Sequence, residues 1–564
     1  MESRRSVPAL SPLLLALANV AFLGGRAASA QDSRPTLRPD NRATFTPIDQ
    51  TPFGSRWFIE PPEYEIHEPR DPWNPYRQNQ LKGDFPILGT DDVFFALTAT
   101  ERLLFEYRKL PTPTGITGPS PGKEAFFGDG DQLMWKTQTA LSFELFKGQR
   151  GFKPVDWLIK VTPVFDFTEV AVREKGVVRV DNTRDRTRTT EDFAVQEALV
   201  ELHLLNWGPR YDFLATEIGL LPFRSDFRSF VFDDTNLGWR IFGNADENKW
   251  QYNLAAFSML EKNTNSDLNQ FDSRNQLVVV ANVYRQDFPA PGFTSQVSFH
   301  YNHDEDSVHF DKNGALVRPA PVGAARPHGL EAYYVGYAGD GHLGPVNITT
   351  AFYHVFGHEG DNVFAARRTA INAQMAALEL SYDIDWFRPK VFGFWASGDS
   401  NPRDGNARGF DAILDAPAFA GGSNSLWNLQ AIKLLGVNLT QRQSLLPDLS
   451  ASKLEGQANF VNPGIYIVGA AGDVEITPTW RAQLGTSFLA FQRTEVLETF
   501  LEAERISKVI GQEVFFGTQY RPFLTNNVVF NFGAATLFPG SGLEKVYQSG
   551  QEFYSVFLEM LFTW

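Results

Sequence analysis

A chain of 564 residues without a single cysteine excludes disulfides, thiolate catalysis and cysteine-ligated metal. Hydrophobic residues make up only 43% and mean hydropathy is −0.25, yet aromatics reach 14% with 49 Phe, which fits many half-buried strands better than a helical membrane bundle. A net charge of −15 argues against nucleic acid as a partner.

The N-terminus carries Arg4 and Arg5, an apolar run over 13–23, and Ala28-Ser29-Ala30 before Gln31. That order of charge, grease and small residues predicts a cleaved signal peptide over 1–30. The apolar run is too short to span a bilayer, and no later stretch approaches 18 apolar residues. Residues 31–92 are proline-rich, with Glu60-Pro61-Pro62-Glu63 and Pro69-Arg70-Asp71-Pro72-Trp73-Asn74-Pro75, and read as an irregular periplasmic lead-in.

From Val93 onward the chain alternates with a period of two. Lys136, Gln138, Ser142 and Glu144 alternate with Trp135, Thr137, Thr139, Leu141 and Phe143; Lys160, Thr162, Asp166 and Thr168 alternate with Ile159, Val161, Phe165 and Phe167. Strand side chains point to opposite faces in turn, so each such segment is a ribbon with one greasy and one wet side. Tight links at 206–210, 244–249, 289–292, 339–345, 385–389, 477–479 and 521–526 carry Gly, Pro, Asn or Asp, and 146–156 is a slightly longer one. They alternate with longer polar links at 112–132, 175–192, 224–236, 263–275, 303–328, 357–368, 399–463, 493–509 and 539–551. The last segment, 553–564, places Tyr554, Val556, Leu558, Met560, Phe562 and Trp564 on one side. The expected fold is all-β: a transmembrane antiparallel β-barrel over 93–564 with about 18 strands, short periplasmic turns and long outer loops. Lipid offers the backbone no partners, so such a sheet must close on itself. Its expected place is the outer membrane, its partners outer-membrane lipid, the assembly machinery acting through the C-terminal strand, and a hydrophilic solute. No cofactor is expected.

No pattern of a catalytic or nucleotide-binding site is evident, and the chain reads as a channel rather than an enzyme. The alternative is a barrel serving as scaffold, loop-borne binding protein or enzyme without a transport role. His203, His300 and His354 fall on strands and read as hydrogen-bonding pore residues. The link after Ala396 gathers Asp399, Asn401, Asp404, Gly405 and Asp411. Its oxygens suit a loose Ca²⁺ site or, better, a set of Asx turns, since the spacing lacks the closing Glu of an EF-hand. The inward parity of the strands gives Arg102, Glu106, Arg108, Lys136, Glu144, Lys160, Asp166, Glu197, Glu201, Glu379, Lys390, Arg481, Glu513 and Arg521 as pore-lining candidates, seven basic and seven acidic. A mixed lumen favours neutral or zwitterionic solutes, with part of these charges paired across strands.

The segment Ala396-Ser397-Gly398-Asp399-x-Asn401-Pro402-x-Asp404-Gly405 with Phe410-Asp411 resembles the alginate-export family of outer-membrane porins. So does the ending, with Gly511-Gln512-Glu513, Tyr520-Arg521-Pro522 and Leu537-Phe538-Pro539-Gly540 before Phe553-Tyr554. The likeness covers roughly the last 180 residues, and the family's arginine-rich signature in the first half has only Arg224-Ser225-Asp226-Phe227-Arg228 in a comparable place. The resemblance implies eighteen antiparallel strands around a polar channel, and a polysaccharide or oligosaccharide as the solute. Two links could fold into the pore. Residues 494–508 place Val496, Leu497, Phe500, Leu501 and Ile506 at near-helical spacing, as a lid or plug or as a surface helix packed on a neighbouring loop. Residues 399–463 are the better plug, because Leu426-Trp427, Leu429 and Leu434-Leu435 give them something to bury.

Overall fold

The computed structural model describes residues 80–113, 126–148, 154–181, 183–208, 212–434 and 436–564. The signal peptide, the lead-in up to residue 79, parts of the links 112–132, 146–156, 175–192 and 206–210, and Leu435 lie outside them. Eighteen strands make one closed antiparallel wall. In chain order they are β1 (Val93–Lys109), β2 (Asp131–Lys147), β3 (Trp157–Val172), β4 (Thr187–Asn206), β5 (Phe213–Arg224) and β6 (Asp233–Ala245). There follow β7 (Trp250–Lys262), β8 (Asn269–Arg285), β9 (Phe293–Asp304), β10 (Leu330–Leu343), β11 (Val346–Asn362) and β12 (Arg367–Tyr382). The circuit ends with β13 (Phe387–Ala396), β14 (Ile465–Thr477), β15 (Trp480–Phe491), β16 (Val509–Tyr520), β17 (Val528–Pro539) and β18 (Phe553–Thr563). Each strand pairs with its sequence neighbour, and β18 returns to β1 in a register running from Thr100↔Thr563 to Lys109↔Tyr554. The expected barrel and its strand number are borne out.

The phase of the alternation is visible on β18. Val556 and Leu558 stand exposed outside, while Ser555 and Phe557 are buried inside. Every one of the eighteen strands carries at least one exposed large apolar residue on its outer face, from Phe105 on β1 through Ile218, Val297, Phe352 and Val468 to Leu558. A wall greasy all the way round has far more exposed apolar surface than a water-soluble monomer keeps. Aromatic residues gather at both margins: Trp207, Trp250, Trp386 and Trp480 near the short turns, and Tyr107, Phe193, Phe356 and Phe538 toward the long loops. This is the pattern of a barrel standing in lipid. Among the described residues no helix is long and apolar enough to cross a membrane, which says nothing of strands.

Several strands run longer than the sequence indicates. β4 begins at Thr187, β8 at Asn269 and β12 at Arg367, so the links expected at 175–192, 263–275 and 357–368 are shorter. The cause is that polar residues such as Thr189, Glu191 and Arg368 continue the ladder beyond the greasy band, where both faces can be wet. The expected helix over 494–508 shrinks to α2 (Glu495–Phe500), named after α1 (Leu426–Leu429), with α3 (Ser541–Tyr547) near the end. Val496 and Leu497 are fully buried and the Phe500 ring meets Phe364 at 5.5 Å, so α2 packs its apolar stripe on neighbouring loops.

Candidate functional site: a lumen divided by an internal plug

Residues 397–464 leave the rim after β13, fold into the barrel and return to β14 at the same point. The neck is pinched. A Cβ on Gly398 would stand 2.0 Å from the Pro463 carbonyl oxygen, and Gly464, at φ +58, would meet the Ala396 carbonyl at 2.5 Å. Only glycine fits there, which explains the glycine of the Ala-Ser-Gly-Asp motif. Beyond the neck the Asp399 carboxylate accepts the N–H groups of Asn401 at 2.7 Å and Arg408 at 3.1 Å. Asp404 accepts that of Asn406 at 2.7 Å and pairs with Arg408 at 3.1 Å, and Asn401 accepts from Arg403 at 3.4 Å. Asp411 accepts from Ala412 and, at 2.6 Å, from Asn459. The Gly405 carbonyl takes the Ala370 N–H, tying the turn to β12. The motif is a run of Asx turns that spends its oxygens on backbone. Among the described residues no group of three or more His, Asp or Glu is placed to hold a metal ion.

Inside, the plug meets a second inward turn, residues 225–232 between β5 and β6. The two segments exchange backbone bonds: Asp233 N–H to Leu414 O, Leu414 N–H to Val231 O and Ala416 N–H to Ser229 O. Asp226, pushed up by burial, holds the turn by accepting from Arg228, Phe230 and Val231. Phe410, Phe419, Trp427, Leu434 and Leu439 of the plug then pack against inward residues of the wall, among them Phe257, Val280, Tyr334, Val355, Met375 and Phe394. This side of the barrel is therefore filled by a dry core. This corrects two readings. His300 faces inward but sits fully buried between Tyr334 and Tyr353, with neither ring nitrogen hydrogen-bonded, and His354 lies on the outer face beside Phe356, where Gln374 bonds it at 3.0 Å.

The plug is fastened to the opposite wall as well. Glu513 of β16, 1% exposed, accepts the Ser425 hydroxyl at 3.0 Å and the N–H groups of Leu426 and Trp427 that open α1. On β1, Gln430 donates to Glu106 at 2.5 Å and accepts from Arg108 at 2.7 Å, and Arg442 pairs with Glu106 at 3.3 Å. Within the plug Asp411 is pushed well up by burial and by its neighbour Asp448. Asp448 is itself pushed up to about 7 by burial, with Asp415 adding to it.

The rest of the lumen is a cavity of about 2380 Å³. It is lined from Trp386, Arg481 and Arg521 at the short-turn end to Thr112, Val178 and Asn313 at the long-loop end. Of the expected pore residues, Arg102, Arg108, Lys136, Glu144, Lys160, Glu197, Glu379, Lys390, Arg481 and Arg521 line this space. Glu106 and Glu513 lie beneath the plug, Asp166 is buried beside Lys136 at 3.9 Å, and Glu201 stands in register with Leu158 and Glu217 toward the turns. Most charges pair across strands: Arg102 with Glu559 at 2.6 Å, Lys160 with Glu144 at 3.4 Å and Glu197 at 2.8 Å, Lys390 with Asp473 at 2.6 Å. Arg228, from the inward turn, reaches Asp340 at 3.5 Å and Glu379 at 3.6 Å. What remains without an ion pair carries both signs. Arg108 and Arg442 share Glu106, the side chains of Lys433 and Arg481 have no hydrogen bond or ion pair to a described residue, and the carboxylates of Asp385 and Glu475 line the same cavity without an ion pair to a described residue. Burial holds the Lys433 amine below its ordinary value. Lys433, Arg442 and Gln430 come from the plug, where no strand period could announce them; Arg228 falls in the 224–228 segment that the sequence does single out.

No family model matches the chain, and no curated protein matches it. Among solved structures it is similar to OccK9 (OpdG) of Pseudomonas aeruginosa, with TM-score 0.47 and 10% identity over 83% of this chain and 98% of that one. It is similar to OccK5 (OpdH) of the same organism, with 0.44 and 10% over 83% and 97%. A third is OccAB4 of Acinetobacter baumannii, with 0.43 and 10% over 84% and 98%. None of these three is an alginate-export protein.

Proposed function

We propose that the chain is an outer-membrane channel that passes hydrophilic solutes passively through the free part of its lumen, past a seated plug. The observation that carries this reading is the polar cavity running beside the plug between the two rims of a closed, greasy-walled barrel. A barrel of this strand number is wide enough for water and small solutes. Unpaired lumen charges of both signs favour neutral or zwitterionic solutes, because charged groups along a pore set its selectivity. Sugars without net charge meet that description, and the resemblance to the alginate-export family agrees with a saccharide solute. In this reading the lipid face and the C-terminal strand are the surfaces that the outer membrane and its assembly machinery engage.

Planar-bilayer recording of the refolded protein tests it, together with liposome uptake of neutral, anionic and cationic sugars. Steady conductance with neutral sugars entering faster than charged ones of either sign is the expected result. Absence of current and uptake, even from a variant lacking 399–463, overturns the channel.

A further inference from the structure

The long-loop rim has a feature that passive diffusion does not need. The connection 305–329 between β9 and β10 lies over one end of the plug, residues 454–457, and stitches it to the wall. Arg318 donates to the Glu455 carbonyl at 3.0 Å and to the carboxylate of Glu261 at the end of β7. Gln457 donates to the His328 carbonyl at 3.0 Å, and Arg274 of β8 donates to the Leu454 carbonyl at 2.7 Å. Two histidines sit in this seam. His309 Nε2 stands 3.5 Å from Glu455 of the plug and 3.8 Å from Glu261 of the wall. His328 Nε2 stands 3.0 Å from Glu359 at the end of β11. All three glutamates are more than nine-tenths buried, and Glu261 Oε2 has no hydrogen-bond partner.

We propose that the 305–329 loop is an acid-locked cap. Protonated His328 binds it to the wall at Glu359, beside the contact of His309 with plug and wall, and the passage narrows to that past the seated plug as pH falls. The inference rests on the channel reading above. An imidazole pairs with a carboxylate by charge only when protonated, and its ordinary pKa is near 6.5, so acid strengthens such a bond. A buried carboxylate gains most from such a partner, because water is not there to replace it.

The other charges around the two sites do not cancel the effect. Glu261 already holds Arg318. Glu455 holds the Thr264 hydroxyl at 3.0 Å and feels Arg188 and Lys433 only at longer range. For His328, burial opposes the charged form, but the bond and charge of Glu359 outweigh it, and Asp304 of β9, itself paired with Arg274 at 3.2 Å, adds in the same direction. The net result is a pKa above the ordinary value. The sign follows. A histidine whose pKa is raised in the locked state contributes fully at low pH and loses its contribution as pH rises through the raised value.

The test compares wild type with His309→Gln/His328→Gln, by single-channel conductance and by hydrogen exchange of residues 305–329, at pH 8 and pH 5. Wild type is expected to lose at least threefold in mean conductance on going to pH 5, and the loop's exchange, corrected for intrinsic rate, to slow at least tenfold. The double variant is expected to lose most of both responses while conducting like wild type at pH 8. Equal wild-type exchange at the two pH values overturns the cap, as does a double variant that responds like wild type. Exchange reads the cap without current, so a barrel that never conducts but protects its loop in acid removes the channel reading and leaves the cap standing.

Discussion

The seat of the plug on β16 gives the sharpest test of how the lumen is divided. Glu513→Ala removes a carboxylate, 1% exposed, that accepts three donors: the Ser425 hydroxyl and the Leu426 and Trp427 N–H groups. A bond to a charged acceptor is worth roughly 1.5–3 kcal/mol when its partners stay dry. Here Ser423 and Asn424 before α1 and Leu429 at its end line the cavity, so water can reach part of what the deletion strands. Taking about 1 kcal/mol for each donor gives roughly 3 kcal/mol. At about 1.4 kcal/mol per factor of ten, that raises the population of a detached α1 roughly a hundredfold. Glu513→Gln keeps one acceptor oxygen, and roughly a tenfold rise is expected. The assay is single-channel recording, where the detached state appears as brief steps to higher conductance, paired with hydrogen exchange of 423–430. Step frequency is expected to order wild type, Gln and Ala. If the Ala variant matches wild type in both measurements, the carboxylate does not hold the plug and the reasoning fails.

Three further outcomes are expected. Val468→Arg, on the lipid face of β14 and 64% exposed, is expected to cost about 2–4 kcal/mol of stability in bilayers, measured by denaturant unfolding, whereas Gln483→Arg on the lumen side of β15 costs little. Lys433→Gln removes an unpaired lumen cation and is expected to move the reversal potential in a KCl gradient toward that of K⁺; an unchanged potential places the selectivity elsewhere. Asp448, pushed up to about 7, stabilises the plug most when neutral. Its contribution is full below its ordinary value near 4 and is lost as pH rises toward 7. Asp448→Asn is expected to flatten the fall in thermal stability between those limits, and an equally steep fall in the variant removes Asp448 from the account.

The wall was largely legible in the chain because lipid imposes a simple rule, grease outward on every second residue. The last strand shows it most openly, with Val556 and Leu558 outside against Ser555 and Phe557 inside. Strand ends were not legible. Above the greasy band neither face needs to be apolar, so Thr187–Thr190 looks like loop although it is paired with β3. The filling of the lumen was half legible. The plug was foreseeable from Trp427 and its neighbours, which must be buried somewhere, but the part of the wall it covers was not. Val278 and Val280 on β8, or Tyr353 and Val355 on β11, face inward and are apolar, so those strands are greasy on both sides and lose their alternation. On such a strand the phase is ambiguous by one residue, which sends a side chain to the other face. His354 is where that ambiguity misled. The cations that matter to a solute, Lys433 and Arg442, hang from irregular backbone whose course depends on contacts more than three hundred residues away, such as that from Arg442 to Glu106.

The meeting of β1 with β18 joins residues as far apart as Arg102 and Glu559, 457 positions along the chain. A hoop of this kind cannot be fastened until its final stave arrives. Until then the first stave must wait with one flank bare, offering unpaired backbone to any other extended segment it meets. Lipid cannot soothe that flank, since it has no hydrogen bonds to give. A chain cut anywhere before Phe553 keeps two bare flanks for good, and so has no stable resting place in the bilayer.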